Sequence, residues 1–332
     1  MTRAQRVSAV VALLLIAAVP LSAYLKLGTR VGSRTVTLRW TDFPVSYFVT
    51  NSSVDGVSAE EFRDTIGRAF NTWHAVENTE TSSVFAGFTT APAGENDDMS
   101  VLGFVNRPDQ SRTLAATSFL IDTSDGSILE SDIYFNTSFA WSTADPGVPG
   151  RFDLQSIAVH EIGHLLGLSH SALGETELIS GGRRVLAAEA VMFPIAFSSG
   201  NTADRVLKSD DVAGLLDIYG SSEFTRQSGS ISGRVTKNGQ GVIGAHVVAF
   251  DPRTRKLVGG FTLSSDGAFV IAGLDPGPHV LRVEPLDDGD IESFFDSSFG
   301  VDIDFRVKFF ERVVVVPRGG GTRNIEIRVT AK

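Results

Sequence analysis

The chain has 332 residues, of which 42% are hydrophobic and 20% charged, a balance that builds folded cores and excludes a disordered protein. Lys and Arg total 29 against 39 Asp and Glu, for a net charge of −10 without any basic run, which excludes nucleic acid as a partner because phosphate contacts need clustered cations. Cysteine is absent, so disulfides, thiolate metal sites and a cysteine nucleophile are excluded together, and the length predicts about two domains.

Arg3 and Arg6 precede an apolar run from Val7 to Ala23, broken by Ser8, Pro20 and Ser22. A basic segment followed by an apolar one is the pattern of a secretory signal, so residues 1–24 are expected to be a signal peptide. Leu21 is large for a cleavage site and the run approaches the length of a membrane span. An uncleaved N-terminal anchor therefore stays open, as the only membrane association expected. Both readings place the remainder in the extracytoplasmic space, secreted or in a cell envelope. An exported chain without Cys fits a bacterial source.

Residues 35–49, TVTLRWTDFPVSYFV, are rich in β-branched and aromatic side chains and predict a strand. Ser58 and Glu61 form a capping box, and Phe62, Ile66, Phe70 and Trp73 follow at helical spacing. Strands are predicted over Met99–Val105, Leu114–Ile121 and Ile128–Phe135, with Asp125-Gly126 turning the last two into a hairpin. Helices are predicted over Leu154–Leu166, capped by Asp153, and over Asp210–Tyr219, behind Ser209. This order is that of an α/β (α+β) domain.

The character changes after Gly220. Residues 221–229, SSEFTRQSG, read as a linker, and from Ser230 onward short alternating strands with Gly turns predict an all-β antiparallel sandwich over 230–332. The acidic, Phe-containing stretch Leu286–Phe310 has no predicted element.

Three of six histidines fall within His160-Glu161-Ile-Gly-His164-Leu-Leu-Gly167-Leu-Ser-His170. On a helix, i and i+4 share a face, so His160 and His164 can ligate one ion. Gly167 permits the sharp turn that returns His170 as a third ligand. Three histidines leave a tetrahedral zinc one open position, the catalytic arrangement, and Glu161, one step round the helix, stands as general base. His74, His246 and His279 are isolated and read as structural or solvated.

HEIGHLLGLSH followed by Ser171 resembles the zinc signature of metzincin proteases in its matrixin form. Ala190-Val-Met192-Phe-Pro194 resembles the family's Met-turn, Lys208-Ser-Asp-Asp211 to Gly220 its closing helix, and Asp132-Ile-Tyr-Phe-Asn136 with Trp141 the segment before the active-site helix. The resemblance covers about residues 35–220. It implies a metzincin-like fold with a twisted mixed sheet and three helices, and a zinc endopeptidase acting on proteins or peptides. It further implies Met192 beneath one catalytic Zn2+, a substrate edge at Leu114, Ala115 and Ala116, and a pocket wall at Pro194, Ile195, Ala196 and Phe197. Animal matrixins hold a second zinc through histidines before the active-site helix, but residues 104–136 contain no His and Tyr134 stands in a ligand's place, so that zinc is not expected. Ca2+ stays open, with Asp122, Asp125, Glu130, Asp132 and Asn136 as oxygen ligands. No Cys-bearing prodomain is expected. Residues 230–332 resemble the carboxypeptidase regulatory-like, transthyretin-like sandwich, carried by Ile231-Ser-Gly-Arg-Val235, Gly244-Ala-His-Val247 and Ser265-Asp-Gly-Ala-Phe269. That resemblance implies a non-catalytic module, and no ligand can be read from it. Two alternatives stay open: a non-catalytic surface adhesion or scaffold protein with a degenerate protease domain, and a zinc amidase or other hydrolase.

Overall fold

The computed structural model describes residues 26–31, 34–180, 182–295 and 297–332. The expected signal or anchor lies outside the described residues, and no helix among those described is long and apolar enough to cross a membrane. The chain divides into two compact units. One holds Thr29–Gly167 and Ala196–Leu207; the other holds Leu168–Ile195 and Lys208–Lys332.

Near the start, Gly28–Val31 (β1) and Arg34–Thr37 (β2) pair as a two-stranded sheet. The strand expected over 35–49 is thus two pieces, since the next strand, Val45–Thr50 (β3), begins only after Pro44. Proline has no N–H for a ladder, which is why pairing lapses before it.

The first unit is built on one sheet. After β3 come the helix Ala59–His74 (α1) and the strands Ser83–Thr89 (β4), Ser100–Val105 (β5), Ala115–Ile121 (β6) and Ile128–Asn136 (β7). The strands lie in the order β4-β3-β5-β7-β6, and every pair is parallel except β6 with β7. This is the expected mixed sheet. β6 is an edge strand running against the rest.

Strand β4 was not expected. It lies at the other edge, with side chains alternating between half-buried and exposed, and Ala86 and Gly87 dilute its β-branched and aromatic signal. The hairpin at Asp125-Gly126 forms as expected: Asp122 N–H donates to the Ser127 carbonyl at 2.8 Å, and Gly126 has φ 82°.

Helix α1 carries its capping box, with Glu61 N–H donating to Ser58 Oγ at 3.2 Å and Ser58 N–H to the Glu61 carboxylate at 2.8 Å. Phe62, Ile66, Phe70 and Trp73 are buried along one face. Phe62 packs on Phe104 and Phe135 with ring centroids 4.5 and 5.4 Å away, and Phe70 stacks on Tyr47 at 4.5 Å. Each such side chain removed from water stabilises the fold by roughly 1.5–3 kcal/mol. Trp141–Ser142 (β8) then pairs with Phe152–Asp153 (β9), which leads into the helix Leu154–Leu165 (α2).

The second unit opens with a hairpin absent from the sequence reading, Gly174–Ile179 (β10) and Gly182–Ala188 (β11). The helix Ser209–Tyr219 (α3) begins one residue earlier than expected, because Lys208 N–H donates to the Asp211 carboxylate at 2.8 Å and takes the capping position given to Ser209. The expected linker 221–229 contains a short helix, Ser222–Gln227 (α4), whose first turn is capped by Ser221 Oγ.

Among the described residues nine strands follow: Gly229–Lys237 (β12), Gln240–Gly241 (β13), His246–Phe250 (β14), Leu257–Phe261 (β15), Ala268–Leu274 (β16), Gly277–Glu284 (β17), Lys308–Phe309 (β18), Val314–Val316 (β19) and Gly321–Val329 (β20). One sheet runs β13-β12-β16 with β20 on β12, the other β15-β14-β17-β18 with β19 on β17. All pairings are antiparallel except β12 with β20. Ile231, Phe269 and Ile327 of the first sheet share a buried core with Val247, Leu281 and Val316 of the second. Ala213 of α3 joins that core, and Ala172, Leu173 and Ala190 join smaller apolar clusters with Phe261 and Val248. These contacts explain why the unit takes in stretches that the sequence reading assigned to the preceding domain. Within Leu286–Phe310, 3-10 turns form at Ile291–Ser293 and Ser297–Phe299, and Phe294, Phe295 and Phe305 are buried.

Candidate metal centre

Helix α2 is fixed at three points. At its start Asp153 accepts from Ser156 N–H at 2.8 Å, and Arg205 donates to both oxygens of the same carboxylate at 2.5 and 2.9 Å. Trp73 Nε1–H donates to the Val159 carbonyl at 2.8 Å, one residue before His160. Trp40 Nε1–H donates to the Leu165 carbonyl at 2.9 Å, one residue after His164. Rotation and end of the helix are thereby set where the two histidines stand.

His160 and His164, one turn apart, have ring centroids 4.8 Å apart and planes at 86°. The helix closes at Leu165, and Gly167 turns the chain with φ 93°, a region that penalises any Cβ. His170 follows three residues later. The ring nitrogens offered by His160, His164 and His170 lie within 4.8 Å of one another, and all three side chains are half-buried. Among the described residues this is the only group of three or more His, Asp or Glu side chains so disposed. Three nitrogens bonded to one tetrahedral ion at about 2.0–2.1 Å stand about 3.3 Å apart. The donors are imidazoles, at a spacing that small side-chain rotations bring to that value, so the set fits zinc with a position left for water or substrate.

Glu161 is buried, with 5% exposure. Thr117 Oγ1, from β6, donates to the Glu161 carboxylate at 2.7 Å and lies 3.1 Å from the Glu161 carbonyl oxygen. Burial pushes the Glu161 carboxyl up to about 7, and the Thr117 hydroxyl pulls the other way. Thr117 escaped the sequence reading, although the next residues back, Leu114, Ala115 and Ala116, were named. Strand alternation carried the signal: Ala115 and Thr117 share the buried face, and a hydroxyl on a buried face calls for a partner.

Met192 is buried in a turn whose backbone is tied down. Val191 and Met192 N–H donate to the Asp211 carboxylate at 2.9 and 3.1 Å, and the Met192 carbonyl accepts from Ser171 N–H at 2.9 Å. Leu114 immediately precedes the edge strand that holds Ala115 and Ala116. Pro194, Ile195, Ala196 and Phe197 follow the Met192 turn without regular structure, each half-buried.

The remaining histidines are not brought to the centre by any described contact. His246 Nδ1 lies 3.0 Å from the Glu284 carboxylate, and His279 Nδ1 donates to the Gly277 carbonyl at 3.1 Å. Burial lowers the pKa of His74. Tyr134 bonds its hydroxyl to Gln110, with Arg107 over its ring at 5.5 Å. The oxygen ligands considered for calcium accept from backbone N–H groups: Asp122 from Ser124, Asp125 from Ser127, Glu130 from Asp98 and Asp97, Asp132 from Gly94 and Val101, and Asn136 from Arg107 and Ser138.

The family described as Matrixin matches residues 39–220, more than half of the chain. Metalloendoproteinase 2-MMP of Arabidopsis thaliana is 29% identical over 171 residues, 49% of this chain and 38% of the relative. Matrix metalloproteinase-C of Caenorhabditis elegans is 27% identical over 201 residues, 58% and 30% of the two chains. Stromelysin-1 of Rattus norvegicus is 27% identical over 192 residues, 55% and 33%. The chain thus spans between 30% and 38% of the length of these curated relatives. A family match over the segment that carries the three histidines, Glu161 and the Met192 turn leads to one conclusion: the chain belongs to the matrixin family, whose members are zinc metallopeptidases.

Proposed function

We propose that this chain is a zinc-dependent endopeptidase, secreted or held in a cell envelope, that hydrolyses peptide bonds of extracellular proteins or peptides. The observation that carries the reading is the convergence of the His160, His164 and His170 nitrogens beside a buried glutamate. Residues 35–220 supply the protease, residues 1–24 the signal or anchor, and residues 230–332 a non-catalytic β-sandwich of the carboxypeptidase regulatory-like type.

His160, His164 and His170 hold the metal. Bound zinc supplies a Lewis acid for the scissile carbonyl and lowers the pKa of water to about 7. The Glu161 carboxylate, oriented by Thr117, accepts a proton from the attacking water and returns it to the leaving amine. An extended substrate adds as a strand to the edge of β6 along Leu114, Ala115 and Ala116, with backbone hydrogen bonds giving affinity. The apolar surface of Pro194, Ile195, Ala196 and Phe197 receives a hydrophobic side chain after the scissile bond.

The test is casein or peptide-library cleavage by the full chain, with and without a zinc chelator, alongside metal content of two variants. Glu161→Ala is expected to keep zinc and lose at least about 10²-fold in turnover, the worth of a general base. His164→Ala is expected to lose zinc and activity together. Cleavage that survives chelation, or survives Glu161→Ala above about a tenth of the parent rate, sinks the reading.

A further inference from the structure

The third histidine sits in the compact unit that also holds the C-terminal strands. His170 Nδ1 lies 2.5 Å from the carbonyl oxygen of Ser293, at the end of the 3-10 turn Ile291–Ser293. A carbonyl can only accept, so the proton is on Nδ1 and the unprotonated ring nitrogen, the one a metal takes, is Nε2. Ser293 is itself held. Its N–H donates to the Asp290 carbonyl at 2.9 Å, and Phe294 and Phe295 N–H both donate to the Ile291 carbonyl at 2.9 Å.

The ring that follows Ser293 adds a second constraint. Phe294 meets the His170 ring edge to face, with centroids 6.4 Å apart, and is 1% exposed. Phe294 and Phe295 share an apolar cluster with Phe261, Leu263, Leu286 and Ala172, the last only two residues past His170. Between these residues stands a third tie. Asp210 is buried and accepts from Ser171 Oγ at 2.6 Å and from Gly259 N–H of β15 at 2.8 Å. The residues after His170 are therefore fixed by the C-terminal strands and by the Asp290–Phe295 loop.

We infer that the loop Asp290–Phe295, beyond the segment matched by the family, completes the metal centre: the Ser293 carbonyl selects the His170 tautomer and Phe294 sets the plane of its ring. Ser293 and Phe294 are positioning residues, and the C-terminal region is part of the site's construction. This inference rests on the zinc reading of the three histidines. Partners that orient a ligating histidine are worth about 10–100-fold in metal affinity.

The experiment uses the full chain with 15N-labelled histidine, metal-free at pH 8, with His170 assigned by comparison with His170→Gln. The expected result is a His170 ring protonated at Nδ1 whose proton exchanges slowly with water. Zinc affinity is then measured by chelator competition for the parent, Phe294→Ala and Val315→Ala, a remote residue 64% exposed. Phe294→Ala is expected to weaken zinc by about 10–100-fold and Val315→Ala to leave it unchanged. A His170 ring protonated at Nε2, or a folded Phe294→Ala protein that binds zinc as tightly as the parent, overturns the inference. If Phe294→Ala does not fold, the tautomer in the parent decides. A parent that binds no zinc overturns the metal reading instead, and is distinguishable because the tautomer is read without metal.

Discussion

The pairing of Thr117 with Glu161 makes a prediction at the scale of single atoms. The hydroxyl is the one described partner of a buried carboxylate, so its loss leaves that carboxylate free to rotate away from the position that the proposed general base requires. Thr117→Val is expected to lower kcat about tenfold with KM little changed and zinc retained, and Thr117→Ser to restore kcat. Equal kcat in Thr117→Val and the parent would remove Thr117 from the site.

Glu130 presents the opposite case, a carboxyl whose backbone hydrogen bonds from Asp98 and Asp97 do not offset its burial. Its Oε2 is buried with no hydrogen-bond partner, and burial together with the Asp132 carboxylate pushes it up to about 7. The folded state thus holds a proton that the unfolded chain has already lost at its ordinary 4.5. The stability from this group is full below about 4.5 and is lost as pH rises through about 7. Thermal melts of the parent are expected to fall between pH 5 and pH 8. Glu130→Gln should flatten that fall and raise stability at pH 8 by on the order of 1 kcal/mol. A parallel pair of curves would show that Glu130 is not the source. The sequence displayed His160, Glu161, His164 and His170 because their spacing is local in the chain. It did not display Thr117, whose partner is 44 positions away, nor Ser293, 123 positions from His170.

Among elements, those with strong local chemistry were legible and those defined by neighbours were not. Helix α1 announced itself through Ser58, Glu61 and a four-residue apolar stripe, and α2 through Asp153 and Gly167. The edge strand β4 and the hairpin β10–β11 were missed because their side chains are half exposed, so their pattern carries little contrast between faces. The cap of α2 also depends on a distant residue. Asp153 is buried and Arg205 is the cation bonded to both its oxygens. Arg205→Met is expected to destabilise the protein by about 3 kcal/mol, because an unpaired carboxylate is left buried, with the loss read by denaturant unfolding. Pairing Arg205→Met with Asp153→Asn should recover most of it; a double variant as unstable as the single one would mean that the bond is incidental.

For the molecule as a whole, the α/β character of the first unit could be read from residue patterning. The membership of Leu168–Ile195 in the second unit could not, because it depends on small apolar residues, Ala172, Leu173 and Ala190, that match any core. A ligand that binds the folded state and not the unfolded one stabilises it by RT ln(1 + [L]/Kd), about 2.7 kcal/mol at a hundredfold excess over Kd. Zinc is therefore expected to raise the melting temperature of the metal-free protein by several degrees, and His164→Ala to abolish the rise. Magnesium at the same concentration should have no such effect, since imidazole donors do not suit it.

The parallel pairing of β12 with β20 carries a mechanical consequence. Their register runs from Ser230 opposite Gly321 to Lys237 opposite Val329, so the start of one strand and the end of the other lie at opposite ends of the ladder. Tension applied between Ser230 and Val329 pulls the two strands lengthwise past each other. The hydrogen bonds of the ladder then share the force at once instead of opening one after another, and the region resists stretching along that direction.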